Sequence, residues 1–109
     1  MMIKTFIQEN ATIADAVSDL NKSHSKIVLI LSADRKLLGT ISDGDIRRGL
    51  LKGLGLNSPI TGIVNRDVLV VPPNMDHQMV MQLMVANKVQ QIPIVDDNHN
   101  VLGLHLWDE

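Results

Sequence analysis

The sequence predicts a mixed α/β fold made of two copies of one small unit. The hydrophobic pattern repeats after 64 residues without a gap from Ile13 onward, so that segment 26–31 falls on 90–95. These apolar segments are rich in β-branched residues, which favour strands, and each follows a stretch with helical spacing of apolar residues. Hydrophobic residues make up 45% of the chain and charged residues 20%, a balance that is typical of a folded domain. A unit of about 55 residues is marginal alone, so we expect the copies to pack face to face around a cleft.

The first copy, assigned to residues 1–56, has the predicted order strand, helix, strand, strand, helix. Thr12 and Asp15 have the spacing of a capping box and predict the start of the first helix. Ser42 or Asp43 is expected to cap the second helix, which glycines end just after Lys52. The strands are predicted at residues 3–7, 26–31 and 37–42.

The second copy, assigned to residues 57–109, repeats this order with one omission. Pro59 after Ser58 predicts a short helical turn, because proline at the first helical position loses no needed hydrogen bond. Then follow a predicted strand at 68–71, a helix at 76–87, and a hairpin of strands 91–95 and 101–105. No residues remain for a helix after the last strand, so we expect this chain to be cut from a longer one.

Composition argues against several classes of function. The formal net charge is −2 and the aromatic residues are Phe6 and Trp107, whereas nucleic-acid binding favours a basic face and stacking platforms. The chain has no cysteine, and its four histidines lack the spacing of a metal site. The longest apolar stretch, 27–31, is too short to span a membrane. We therefore expect a cytoplasmic protein without a metal or other cofactor, and with neither nucleic acid nor a membrane as a partner.

The densest polar cluster, 39–48, lies where a predicted strand passes into a helix. Ser42 offers a hydroxyl, and Asp43 and Asp45 offer carboxylates. The free amides of a helix start attract an anion such as phosphate, and a carboxylate beside them can accept hydrogen bonds from both hydroxyls of a ribose. This combination is typical of a nucleotide site. The alternative is a helix cap followed by a solvated, charged helix start.

These segments resemble a tandem pair of CBS domains. The resemblance rests on Gly-Thr-Ile-Ser-Asp-Gly-Asp at 39–45 with the strand at 28–31, and on Ile-Pro-Ile-Val-Asp at 92–96 with Leu-Gly-Leu at 102–104. It covers nearly the whole chain. It implies two β-α-β-β-α repeats related by pseudo-twofold symmetry, and regulatory sensing of an adenosine nucleotide such as AMP or ATP, or of a related nucleotide.

The resemblance also implies roles for residues of the first repeat. Asp45 would bind the ribose hydroxyls, Ser42 would lie near the phosphate, and Thr40 would contact the base or the sugar. The matching positions of the second repeat are Leu106 for Ser42 and Glu109 for Asp45. Leucine cannot hydrogen-bond a phosphate, so we expect one competent site and a second that is vacant or altered.

Four further residues are implied to complete the site. Lys26 would face the cleft, where its charge suits a phosphate; the alternative is a solvated strand end. From the second copy, Ile63 and Val64 would form walls for the base, with Gln90 facing the counterpart of Lys26.

The subtype resembles CBS pairs of sugar metabolism. Asp-Gly-Asp-Ile-Arg-Arg at 43–48 also occurs in pairs attached to sugar-phosphate isomerases of the arabinose-5-phosphate type, whereas the ending 103–109 looks more like pairs that precede a sugar-phosphate nucleotidyltransferase. We expect the nucleotidyltransferase as a C-terminal catalytic domain of the parent chain, with the isomerase as an alternative. The chain itself carries no catalytic signature, so we expect no enzyme activity from it. We also expect a homodimer through the CBS helices, and a structural dimerisation module with a vestigial cleft as a second alternative.

Overall fold

The computed structural model describes residues 6–22 and 26–107, so that residues 3–5 of the predicted first strand lie outside the described residues. The first repeat contains β1 (Phe6–Gln8), α1 (Ile13–Lys22), β2 (Ile27–Leu31), β3 (Leu37–Ser42) and α2 (Asp43–Leu51). A short 3-10 helix (Ile60–Gly62) follows, and the second repeat contains α3 (His77–Asn87), β4 (Gln91–Val95) and β5 (Val101–Leu106). The predicted mixed α/β fold with two repeats is confirmed.

The two hairpins of the fold have the same register. β2 pairs antiparallel with β3, and β4 pairs antiparallel with β5. The pair of Ile27 with Ser42 becomes the pair of Gln91 with Leu106 when the sequence is shifted by 64 residues. Each ladder also has one irregularity, immediately before its last pair. The sequence repeat is therefore a repeat of backbone pairing as well.

The strand that opens each repeat is less regular. β1 pairs in parallel with β2, and Ile7 lies opposite Ile30. In the second repeat Val71 forms a single parallel bridge with Ile94, the pair that the 64-residue shift predicts. The predicted strand at 68–71 is therefore wrong apart from this one bridge.

The path of residues 65–71, here called the connecting segment, explains the missing strand. Asn65 pairs with Thr40 of β3, whereas Val71 pairs with β4. The segment between them crosses from one sheet to the other, so it cannot run along either edge. Pro72 and Pro73 then follow, and because proline has no N–H to donate, they cannot continue a ladder.

Side-chain caps fix the two helices of the first repeat. The Thr12 N–H donates to Asp15 Oδ2 at 2.9 Å and the Asp15 N–H donates to Thr12 Oγ1 at 3.3 Å, which confirms the predicted capping box. α2 has a capping box as well, with Ser42 as its N-cap. Pro59 is the N-cap of the 3-10 helix rather than its first helical residue, which corrects the prediction of a helix start at Ser58.

The core joins the two repeats. Each repeat buries its own apolar cluster against its helices. A third cluster lies between the sheets and is shared, with Ile27, Leu29, Leu31 and Leu37 from the first repeat and Val95, Val101 and Leu104 from the second. Because this cluster takes its members from both copies, the copies stabilise each other, as the size of a single unit requires. None of the described helices is long and apolar enough to cross a membrane.

Candidate functional site

A cleft of about 370 Å³ lies between the two repeats. Its volume is within the range of small-molecule sites. The end of β3 and the first turns of α2 form one side, the connecting segment forms the floor, and the end of α3 with the start of β4 forms the other side. The lining residues are Ile27, Thr40, Ser42, Asp45, Arg48, Asn65, Asp67, Val68, Leu69, Asn87, Val89 and Gln91.

Ser42 and Asp45 meet at the start of α2. The Ser42 N–H donates to Asp45 Oδ2 at 2.8 Å, and the Ser42 hydroxyl donates to the same oxygen at 3.0 Å. The Asp45 N–H donates back to the hydroxyl at 3.3 Å. This capping box holds the carboxylate in one orientation beside the N-terminal end of the helix, which favours anions. The arrangement offers a fixed hydrogen-bond acceptor next to an anion-binding helix end.

The second carboxylate oxygen of Asp45 also has a partner. Arg48 Nη2 donates to Asp45 Oδ1 at 2.8 Å, and the side chain of Asp45 is 17% exposed while that of Arg48 is 65% exposed. The neighbouring pair of Arg47 with Asp43, at 2.6 Å, lies in solvent, with both side chains 72% exposed. α2 therefore carries one ion pair at the cleft and a second, separate pair that does not line it.

Thr40 anchors the floor of the cleft. It is 4% exposed, and its backbone exchanges two hydrogen bonds with Asn65, at 2.9 and 2.8 Å. Gly39 permits this approach, since a Cβ there would lie 2.5 Å from the Asn65 carbonyl oxygen. The Asn65 side chain accepts from the Asp67 N–H at 3.1 Å, which shapes the next turn of the segment. The connecting segment is thus pinned to β3 by backbone contacts.

Thr40, Ser42 and Asp45, all predicted from the sequence, line this one cleft. Lys26 does not line it and instead lines a larger groove of about 650 Å³ between α1 and α2. Its φ of 63° is left-handed, which breaks the alternation of a strand before β2 begins. Gln90 lines another pocket, of about 310 Å³. Neither residue lines this cleft, and the ligand-binding roles of both stay predictions.

Ile63 and Val64 do not line the cleft either. Both pack in the apolar core of the first repeat, and Ile63 is buried there. The apolar lining of the cleft comes instead from residues on both sides of it, Ile27, Val68, Leu69 and Val89. An apolar residue near a site can fill either the core or the wall, and the sequence pattern did not distinguish the two.

Several lining residues were not predicted. Gln91 falls on Ile27 in the 64-residue shift, and because neither residue was a candidate, the sequence alone did not mark it. Asn65 and Asp67 lie in the connecting segment, whose path depends on tertiary contacts, and no local pattern marks them. Asn87 ends α3, and its side chain donates to the Leu83 carbonyl at 2.8 Å.

The equivalent position in the second repeat differs chemically. Leu106, which matches Ser42, packs against the shared core. Glu109, the predicted counterpart of Asp45, lies outside the described residues. Within residues 6–22 and 26–107, no group of three or more His, Cys, Asp or Glu side chains could hold a metal ion.

Comparison with known proteins identifies the repeat. The sequence model of the CBS domain matches residues 2–52 and 60–104. Among solved structures, the chain is similar to a CBS domain protein from Pyrobaculum aerophilum complexed with AMP, with a TM-score of 0.85 and 19% identity over 97% of this chain and 82% of that one. It is also similar to the cytosolic domain of the Mg²⁺ channel MgtE in complex with ATP, with a TM-score of 0.81 and 18% identity over 95% of this chain and 42% of that one. At these identities the similarity establishes the fold.

Curated relatives are mostly longer. An uncharacterised protein of Helicobacter pylori strain J99 is 30% identical over 109 residues, which cover 92% of this chain and 31% of that protein. The arabinose 5-phosphate isomerase GutQ of Escherichia coli K12 is 27% identical over 85% of this chain and 29% of the isomerase. The chain thus spans about a third of the length of these relatives. With two matches of the domain along its length, the chain belongs to the CBS domain family and is a tandem CBS pair.

Proposed function

We propose that this chain is a regulatory module that binds an adenosine nucleotide, such as AMP or ATP, in the cleft between its repeats. The observation that carries the proposal is the capping box of Ser42 and Asp45, which presents a fixed carboxylate beside a helix N-terminus at 2.8–3.3 Å contacts. Two structural neighbours are complexes with AMP and with ATP, which supports this class of ligand.

In this proposal each part of the nucleotide has a counterpart in the cleft. Asp45 accepts hydrogen bonds from the ribose hydroxyls, and the phosphate lies near Ser42 and the first turn of α2, where the helix dipole favours an anion. The base packs between apolar side chains of both repeats, among them Val68 and Val89. Thr40 contributes through the backbone that positions the floor.

Regulation follows from the shared lining. Because both repeats contact the cleft, a ligand that fits one relative arrangement of the repeats better than another shifts the population between them. The size of that shift is limited by the difference between its affinities for the two arrangements. An attached domain that senses the arrangement of the repeats would then respond to the nucleotide.

The attached domain is a separate part of the proposal. The resemblance of segment 103–109 to CBS pairs that precede such enzymes favours a sugar-phosphate nucleotidyltransferase that makes a sugar nucleotide. The similarity to GutQ, whose name is arabinose 5-phosphate isomerase, favours the isomerase alternative. Assays of the intact parent protein for sugar-phosphate isomerisation and for nucleotidyl transfer, each with and without AMP and ATP, separate the two.

Calorimetric titration of this chain with AMP, ADP, ATP, GTP and GDP-mannose tests the ligand site. Asp45→Asn keeps the shape of the side chain but removes its charge, so we expect saturable binding by the wild type and its loss in this variant. Asp15→Asn is the matched control, because Asp15 forms the same capping box with Thr12 at α1 and does not line the cleft. Equal effects of the two variants, or no binding of any of the five ligands, would overturn the site.

The structural alternative has its own supporting observation. The groove between α1 and α2 is lined mostly by apolar side chains, and Leu50 and Leu56 in it are about half exposed. This surface is the candidate interface of the expected homodimer. Light scattering after gel filtration tests it: Leu50→Asp should yield monomers, whereas Leu51→Asp, at a residue that is 82% exposed and outside the groove, should remain dimeric. A dimer that binds no nucleotide would favour the structural module.

A further inference from the structure

Arg48 is a charged side chain of the cleft that the proposed ligand contacts leave unused. Its Nη2 donates to Asp45 Oδ1 at 2.8 Å, and it lines the cleft. The other carboxylate oxygen, Oδ2, already accepts from the N–H and the hydroxyl of Ser42. Oδ1 is therefore the oxygen with the fewer protein donors, and a ribose that uses Asp45 must compete with the guanidinium or displace it.

The guanidinium lies beside the first turn of α2. A Cβ built on Gly44 would be 3.2 Å from Nη1 and 3.4 Å from Nη2 of Arg48, which places the guanidinium close to the backbone of this turn. The positive end of a helix disfavours a cation there and favours an anion. The Arg48 side chain is also 65% exposed, so solvent screens its ion pair with Asp45. Release of the guanidinium from Asp45 therefore costs little.

We propose that Arg48 makes the cleft selective for phosphorylated nucleotides over nucleosides by passing from Asp45 to the phosphate. This inference rests on the proposed function and adds a specificity-determining residue to it. A nucleoside that takes Asp45 Oδ1 leaves the guanidinium without an anion. A nucleotide replaces the carboxylate with a phosphate, which a guanidinium binds through two parallel hydrogen bonds. The same residue thus favours the charged ligand and contributes nothing to binding of the uncharged one.

Calorimetric titration of the chain with AMP and with adenosine tests this role. The measured quantity is the ratio of the two affinities in the wild type, Arg48→Ala and Arg47→Ala. Loss of a hydrogen bond to a charged group changes an affinity by about ten- to a hundredfold. We expect the AMP-to-adenosine ratio to fall by at least about tenfold in Arg48→Ala, because AMP loses its contact with the guanidinium whereas adenosine has no phosphate to lose it from.

Arg47→Ala is the matched control, because it removes an equally charged neighbour whose ion pair with Asp43 lies in solvent; its ratio should equal that of the wild type. Arg48→Gln keeps most of the side-chain stem and replaces Arg48→Ala if circular dichroism shows the alanine variant to be unfolded. An unchanged ratio in the Arg48 variants, with AMP still bound, overturns the role of Arg48 alone. A wild-type chain that binds neither AMP nor ATP overturns the proposed function, and the role of Arg48 with it.

Discussion

Lys36 and Asn100 pair as an antiparallel bridge, and through it the hairpin turn of one repeat touches the hairpin turn of the other. Next to this bridge the Leu37 N–H donates to the His99 carbonyl at 3.1 Å. The two repeats are therefore joined by backbone hydrogen bonds as well as by their shared core.

A second hydrogen bond, the counterpart of the first in the other repeat, shows where the pseudo-twofold axis passes. The Val101 N–H donates to the Arg35 carbonyl at 3.3 Å, and a shift of 64 residues exchanges this bond with the one from Leu37 to His99. Arg35 and His99 both have a φ of 67°. The axis thus runs between two turns that share their conformation and their contacts.

The left-handed backbone of His99 predicts a stabilising substitution at this residue. A residue with a Cβ is destabilised by about 1–2 kcal/mol in this conformation. Glycine avoids most of this strain, with a smaller cost in conformational entropy. His99→Gly should therefore raise the free energy of unfolding by about 0.5–1 kcal/mol, as measured by urea denaturation. His77→Gly, at the first residue of α3, is the control and should lower it. A His99→Gly variant that is as destabilised as the control would contradict this prediction.

The two equivalent glycines Gly39 and Gly103 should respond differently to alanine. A Cβ on Gly39 would meet the Asn65 carbonyl oxygen at 2.5 Å, which is backbone, whereas a Cβ on Gly103 would meet only the flexible end of Ile94 at 3.2 Å. Gly39→Ala should cost about 1–3 kcal/mol of stability and weaken nucleotide binding, because it pushes the floor of the cleft away from Thr40. Thermal denaturation and calorimetry of both variants check this. Equal losses in the two variants would show that the contact with Asn65 does not matter.

The turn at Asp96 predicts a loss of stability in acid. The Asn100 N–H and the Asn98 N–H each donate to Asp96 Oδ1 at 2.9 Å, and these bonds lower the pKa of Asp96 below its ordinary value of 3.8. A folded-state pKa below the unfolded one adds stability that is fully present above the unfolded pKa and is lost as the pH falls through the folded one. Urea midpoints from neutral pH down to about pH 2 should therefore fall less steeply in Asp96→Asn than in the wild type.

Two features sharpen this acid experiment. Asp97→Asn, in the same turn, removes the same charge and is the control for the change in net charge. In the hairpin turn of the first repeat, the pKa of Asp34 is lowered chiefly by a hydrogen bond from the Ser32 hydroxyl. Asp34→Asn should therefore also make the urea midpoint fall less steeply in acid. Parallel pH profiles of the wild type and Asp96→Asn would rule out the contribution of Asp96.

The shared core predicts that the two repeats unfold together. Leu29 belongs to the first repeat, is fully buried and packs in the cluster that both repeats build. Leu29→Ala should lower the free energy of unfolding by about 2–5 kcal/mol, whereas Leu51→Ala, at an exposed residue, should change it little. Trp107 is the single tryptophan and lies in the second repeat, so its fluorescence should report the same shifted transition as circular dichroism. A fluorescence transition that Leu29→Ala leaves unmoved would contradict the coupling.

Sequence periodicity predicted the parts of the fold that depend on local patterns. The 64-residue shift anticipated the common register of the hairpins, and the spacing of Thr12 with Asp15 anticipated a helix cap. The strand expected at 68–71 failed because the segment joins two sheets, a property of the whole chain that no local pattern encodes.

The candidate site shows the same difference between residues placed by a local pattern and residues placed by tertiary packing. Ser42 and Asp45 act on one helix start, so their spacing alone placed them together. Lys26 does not line the cleft, and its backbone is left-handed just before β2. Ile63 packs in the core of the first repeat, against Gly49. The positions of these side chains depend on packing between elements, and so does the position of Asn65 in the cleft.

The segment between the repeats has a consequence for how such a cleft arises. Ile60 and Ile63 fill the core of the first repeat, and a few residues later Asn65 and Val68 form the floor of the cleft. The polypeptide that leaves one copy and enters the next therefore supplies part of the ligand site. A single repeat would therefore carry the wall around Asp45 without this floor, so a complete cleft requires both copies and the segment that joins them.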